Sequence, residues 1–187
     1  MNLSTTIPTI TVFGSSRPRE GDPEYQQAYE VGSMLARAGF IICNGGYGGT
    51  MEASARGAKE AGGTTIGVTV DAFRRNANRW IDRELRTGTL VERIQRLVEL
   101  GDAYVVLKGG TGTLLEFAYV WEFINKGLMP EKPIVVVGNF WNGVVTTLRE
   151  ELMWEGMEDC TRFIHLAPTP AACAEHLRRR LFERTAQ

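Results

Sequence analysis

The chain has 187 residues, enough for one domain with a sizeable core, and its 43% hydrophobic and 23% charged content is ordinary for a globular domain. A formal net charge of −1 excludes bulk electrostatic attraction to nucleic acid or to an anionic membrane. Three widely spaced cysteines, Cys43, Cys160 and Cys173, make neither a disulfide framework nor a CxxC metal motif, which fits a reducing cytoplasm.

Strand and helix patterns then alternate along the chain. Thr9 to Phe13 reads as a first strand, ending in Gly14-Ser15-Ser16. A helix over Glu24 to Ala38 is closed by Gly39, and Phe40 to Cys43 is a second strand leading into Asn44-Gly45-Gly46-Tyr47-Gly48-Gly49. The small residues of Thr50 to Ala61 predict a helix capped by Gly62-Gly63, and the β-branched run Thr64 to Val70 a third strand. Asp71 to Gly88, with Arg74, Arg75, Arg79, Arg83 and Arg86, has no regular period and reads as a loop over the sheet edge. Leu90 to Leu100 is amphipathic, with Leu90, Val91, Ile94, Leu97 and Val98 toward the core.

Ala103 to Leu107 is a buried strand that ends in a three-glycine turn. The turn passes into a helix with Leu114, Phe117, Ala118, Trp121 and Ile124 on one face. Pro133 to Val137 is a further strand, Trp141 to Trp154 a helix, and Arg162 to Leu166 a last strand. Pro170 opens a terminal helix, whose Arg178-Arg179-Arg180 run reads as a solvated face. No basic segment followed by an apolar stretch suggests a signal peptide, and no apolar run is long enough to cross a bilayer.

Such alternation predicts an α/β fold: one doubly wound, Rossmann-like domain over residues 1–187, with a parallel sheet covered by helices on both faces. Ligands of these sheets sit outside the carboxyl ends of the strands. Three loops converge on that edge: Gly14-Ser15-Ser16-Arg17, Asn44 to Gly49, and Gly109 to Thr113. The last is the most telling. A strand, a glycine turn and a helix start make an anion site, because the first N–H groups of a helix lack intrahelical partners and the macrodipole favours negative charge there. Glu116 is placed in the first turn of that helix, close to whatever the anion anchors. The dinucleotide fingerprint and the Walker lysine are both missing, which excludes ordinary NAD binding and P-loop hydrolysis. His165 and His176 are too far apart in sequence to suggest a metal pair, and no lysine lies in a pyridoxal-phosphate setting, so no metal or cofactor is expected.

Lys108-Gly109-Gly110-Thr111-Gly112-Thr113-Leu114-Leu115-Glu116 resembles the Pro-Gly-Gly-x-Gly-Thr-x-x-Glu signature of the Lonely Guy family of cytokinin-activating phosphoribohydrolases, often labelled "lysine decarboxylase". Asn44 to Met51 is similar to the family's upstream glycine motif, and Arg93 falls on its arginine. Relatives of this fold include molybdenum-cofactor carriers and nucleotide-sensing domains. The resemblance implies hydrolysis of the N-glycosidic bond of a nucleoside 5′-monophosphate, such as AMP or an N6-modified AMP, to base and ribose 5-phosphate. Glu116 and Arg93 would then be catalytic. Gly109, Gly110, Thr111, Gly112 and Thr113 would hold the phosphate, with Gly45, Gly46, Gly14 and Ser15 completing the site and Arg17 and Arg96 as weaker candidates. The partner implied is a phosphorylated small molecule. Pairing of the family across its signature helix implies a homodimer, for which Trp121, Phe123, Leu128, Trp141 and Trp154 supply apolar bulk. Lys108 stands where the family has proline, Ile94 where it has lysine, and Leu115 where it often has an acid. These departures favour, as the alternative, a carrier or sensor that binds without turnover.

Overall fold

A computed structural model describes residues 7–157 and 161–182; Cys160 lies outside the described residues. Seven strands form one parallel sheet: β1 (Thr9–Phe13), β2 (Ile41–Asn44), β3 (Thr65–Val70), β4 (Arg83–Thr87), β5 (Ala103–Val106), β6 (Ile134–Val137) and β7 (Ile164–Ala167). Their spatial order is β4-β3-β2-β1-β5-β6-β7. The chain therefore winds outward from β1 to β4, returns to place β5 beside β1, and winds outward again to β7. That reversal between β1 and β5 is where a crevice opens in such sheets.

Alternation along each strand sends side chains to two separate cores. On one face Phe13, Cys43, Val68, Tyr104 and Val106 pack against α3 (Leu90–Leu100), α4 (Thr111–Asn125) and α5 (Asn142–Trp154). On the other, Ile10, Val12, Ile42, Val105 and Leu107 meet α1 (Pro23–Arg37), α2 (Thr50–Glu60) and α6 (Pro170–Phe182). This is the doubly wound α/β architecture.

α3 is fixed with particular care. Thr89 accepts a hydrogen bond from the Glu92 N–H at 3.2 Å, and the Glu92 carboxylate accepts from the Thr89 N–H at 3.1 Å. This reciprocal cap sets the residue at which the helix starts, and so which side chains it turns inward. Thr11 of β1 then donates to the Leu97 carbonyl at 2.9 Å and Tyr104 of β5 to the Val98 carbonyl at 2.7 Å. Both hold the helix over the β1–β5 junction.

Several expectations need correction. The segment 71–88 is not all loop: Arg83–Thr87 forms the edge strand β4, paired with β3. Its sequence, RELRT, carries one apolar residue, so hydrophobic periodicity cannot reveal it; charged side chains suit a sheet edge that must not recruit another strand. α4 begins at Thr111, because the glycine turn is itself the first helical turn, and Glu116 falls in the second. Leu90 and Val91, in the first turn of α3, are 43% and 62% exposed, and the buried residues of the helix begin at Arg93. In α4 the buried face is Thr113, Phe117, Val120, Trp121 and Ile124, leaving Leu114 and Ala118 outside. Trp121 and Trp141 belong to the core, whereas Leu128 and Trp154 are 66% and 82% exposed.

The two histidines meet in space. The His165 ring on β7 stacks on that of His176 on α6 at 3.8 Å, with planes 5° apart. Burial, with His165, Arg180 and Arg179 around it, holds His176 down at about 4 against an ordinary 6.5. The unfolded chain takes up this proton first, so stability is lost as pH falls from about 6.5 toward about 4. Between about pH 7.5 and pH 5 the urea midpoint of the wild type should fall further than that of His176→Gln. Parallel curves for the two proteins would refute the linkage.

Candidate functional site

The carboxyl ends of β1, β2 and β5, with the starts of α2 and α4, enclose a cleft of about 460 Å³, a size suited to a small molecule. Gly14, Ser15, Ser16 and Arg17 line it from the first loop, Gly45, Tyr47 and Met51 from the second, and Gly110 to Thr113 with Leu115 and Glu116 from the third. Arg93 and Ile94 of α3 form its floor, and Phe73 and Arg75 reach in from beyond β3. Gly46 and Gly109 are not on its wall.

The glycine turn after β5 leaves the start of α4 open toward the cleft. The first helical bond of α4 runs from the Leu114 N–H to the Gly110 carbonyl at 3.0 Å, so the N–H groups of Thr111, Gly112 and Thr113 lie ahead of any intrahelical acceptor. A Cβ on Gly109 would strike the Thr113 hydroxyl, whereas Gly110 and Gly112 face open space. Gly109 is therefore a packing glycine beneath the turn. The other two leave the helix end bare for a ligand.

The second loop works differently from a phosphate cradle. Asn44, fully buried at the end of β2, donates to the Met51 carbonyl at 2.9 Å and to Ser54 Oγ at 3.1 Å, and accepts from the Gly46 N–H at 2.8 Å. One amide thus ties the loop to α2. Thr50 then fastens the first loop to the second, its N–H and hydroxyl donating to the Ser15 carbonyl at 2.8 and 3.0 Å. Gly45 is open on one side because a Cβ there would overlap Nη2 of Arg93. Gly46, at φ +78°, is held against Thr69 and Gly67 of β3.

Arg93 is 6% exposed. Its Nε donates to the Val68 carbonyl at 2.8 Å, its Nη2 meets Met51 Sδ at 3.9 Å, and its guanidinium lies 5.6 Å over the Tyr47 ring. Nη1 faces Glu116 Oε1 at 3.6 Å. Burial pushes the Glu116 carboxyl up to about 7, against the opposing pull of Arg93. A carboxyl of that acidity can give or take a proton near neutral pH. Arg96, in contrast, pairs with Glu99 at 3.1 Å and is off the cleft, and Lys108 pairs with Glu24 at 2.6 Å near the surface. Among the described residues no group of three or more His, Cys, Asp and Glu side chains could hold a metal ion, and no helix is long and apolar enough to cross a membrane.

Tyr47, Phe73, Arg75 and the structural role of Asn44 escape sequence reasoning. For segment 71–88 the sequence reads only as an arginine-rich loop over the sheet edge, without singling out Phe73 or Arg75 as lining a cleft. Arg17 and Arg75 make no side-chain hydrogen bond or ion pair among the described residues, so both cations remain available to a ligand.

Removing the counter-charge tests this electrostatic picture. Arg93→Met should move the Glu116 carboxyl above 7, since burial then acts unopposed, as read by carbon NMR titration of the glutamate side chain. An unchanged or lower value would refute the coupling. Asn44→Ala should cost roughly 2–4 kcal/mol of unfolding free energy, because it strands buried backbone groups.

A model of the SLOG cluster4 family matches residues 7–165. The cytokinin riboside 5′-monophosphate phosphoribohydrolase of Mycobacterium tuberculosis is 34% identical over 132 residues, covering 69% of this chain and 70% of that protein. Its namesake from Rhodococcoides fascians is 31% identical over 138 residues, 72% of this chain and 69% of the relative. The molybdenum cofactor binding protein of Rippkaea orientalis superposes with a TM-score of 0.75 at 26% identity, over 95% of this chain and 99% of that one. The chain belongs to the SLOG cluster4 family, related in sequence to phosphoribohydrolases and in structure to a molybdenum-cofactor binding protein.

Proposed function

We propose that the cleft binds a phosphorylated small molecule bearing a planar ring, the class of nucleoside 5′-monophosphates and phosphorylated pterins, and holds it as a carrier or sensor. One observation carries this reading: the bare start of α4 opens into a cleft that also receives Arg17 and Arg75. Helix dipole, free N–H groups and the unpaired Arg17 suit a phosphate dianion, and Arg75 adds to the positive field of the cleft. Binding without turnover is supported by the wall itself. Among the described residues Glu116 is the single carboxylate lining the cleft. Leu115 and Ile94 add apolar surface where a phosphoribohydrolase of the Lonely Guy type would have charge.

The second reading, a phosphoribohydrolase, is favoured by the Glu116–Arg93 pair and by the relatives from M. tuberculosis and R. fascians. There the phosphate would be anchored at α4 and ionised Glu116 would stabilise positive charge on the ribose or orient water toward C1′. The C1′–N bond breaks, the water oxygen joins C1′, and its proton passes to the departing base. Leu114, Leu115 and Ala118, left uncovered on α4, support pairing of the chain with a second copy. Free, buried Cys43 and Cys173 support a reducing, cytoplasmic setting.

Gly112→Asp is a clean test, because a side chain there meets open space and an acidic residue in the first turn suits the helix. The variant should keep its melting temperature and lose binding of both AMP and ribose 5-phosphate by about a hundredfold or more. Undiminished binding would overturn the phosphate site. Mass spectrometry of the purified wild type should find a retained phosphorylated heterocycle, and incubation with AMP, GMP, CMP, UMP or N6-prenylated AMP should release no base. Base release that disappears in Glu116→Gln, with nucleotide binding kept, would instead establish the enzyme.

A further inference from the structure

We propose that the short arm Asp71–Arg75 reads the ring of the bound ligand, with Phe73 as the stacking face for a planar heteroaromatic group and Arg75 as the cation beside it. This rests on the phosphorylated-ligand reading above and adds what that reading leaves open, the part of the ligand that distinguishes one phosphate ester from another.

Three aromatic residues line the cleft, and they differ sharply in exposure. Phe13 and Tyr47 are 2% and 7% exposed, whereas Phe73 is 47% exposed. Tyr47 cannot turn to a ligand. Its hydroxyl accepts from the Val70 N–H at 2.9 Å and donates to the Val70 carbonyl at 3.2 Å, and its ring carries the Arg93 guanidinium. Tyr47 is instead the support for Phe73, whose ring centroid lies 5.7 Å away at a 54° tilt. An apolar ring braced on one side and open to a polar cleft on the other is what base stacking requires.

The backbone is built to keep it there. A 3₁₀ turn over Asp71–Phe73 ends at Arg74, which adopts the left-handed conformation at φ 48° and ψ 40°, with its N–H bonded to the Asp71 carbonyl at 3.0 Å. A non-glycine residue there costs energy that the surroundings must offset. The reversal lets Phe73 and Arg75, two positions apart, line the same cleft. Arg86 on β4 secures both feet of the arm, donating to Asn76 Oδ1 at 2.9 Å and facing Asp71 Oδ1 at 3.9 Å. Asn78 continues the attachment, its N–H and amide donating to the Gly46 carbonyl at 2.7 and 3.1 Å and its amide also to the Tyr47 carbonyl at 2.8 Å. The arm, the glycine loop and the edge strand are thus tied to one another.

The experiment compares AMP and GMP, which carry a ring, with ribose 5-phosphate, which does not, by calorimetry on wild type, Phe73→Ala, Phe73→Trp and Arg75→Ala. Loss of the stacking face should weaken both nucleotides about tenfold and leave ribose 5-phosphate unchanged, with Phe73→Trp restoring nucleotide affinity. Arg75→Ala should also weaken the nucleotides. Because Phe73 is half exposed, the melting temperature of Phe73→Ala should stay that of the wild type. The proposal is overturned if nucleotides bind the wild type no more tightly than ribose 5-phosphate, or if Phe73→Ala treats the two ligand classes alike. If neither class binds the wild type at all, the phosphate reading itself falls.

Discussion

A guanidinium group buried away from water must find a partner in every direction, and at Arg93 that demand organises the whole cleft. The Val68 carbonyl of β3, the Tyr47 ring, Met51 of α2 and Glu116 of α4 each satisfy one side of it. Gly45 satisfies the last by having no side chain. Loops from separate strands are thereby brought to a single point, and α4 is oriented with its bare end toward the space they leave. The capped start of α3 matters for the same reason: a helix begun one residue later would turn this charge about 100° away.

This arrangement also separates the two things such a cleft can do. An anchor that grips phosphate equally before and after a bond breaks strengthens binding but cannot accelerate the chemistry. Only groups that meet charge developing on the sugar can do that, and Glu116 is the one carboxylate among the described residues lining the cleft. The carrier reading and the enzyme reading therefore rest on one scaffold. At Glu116 burial raises the carboxyl and the Arg93 charge opposes it.

Much of the fold was legible because apolar strands and amphipathic helices alternate at distinct periods. β1, β2, β3 and α3 all lie within a residue or two of where the patterns put them. β4 was invisible because its pairing is carried by backbone groups while its side chains are mostly charged. In the cleft, the glycine turn at α4 could be read directly, since its chemistry is local. Gly45 could not: its role depends on a guanidinium 48 positions along the chain. The His165–His176 stack was hidden for the same reason, one ring coming from a strand and the other from a helix packed across it.

The strand order has a consequence for the life of the newly made chain. β1 can pair with β2 at once, but its other neighbour is β5, and Thr9 must wait for Asp102, 93 residues later, to receive its N–H. At ordinary rates of synthesis that wait is on the order of ten seconds. Throughout it, one long edge of the most central strand stands open to wrong partners. Nothing bound in the cleft can offer protection, because α4 is the last piece of the cleft to emerge.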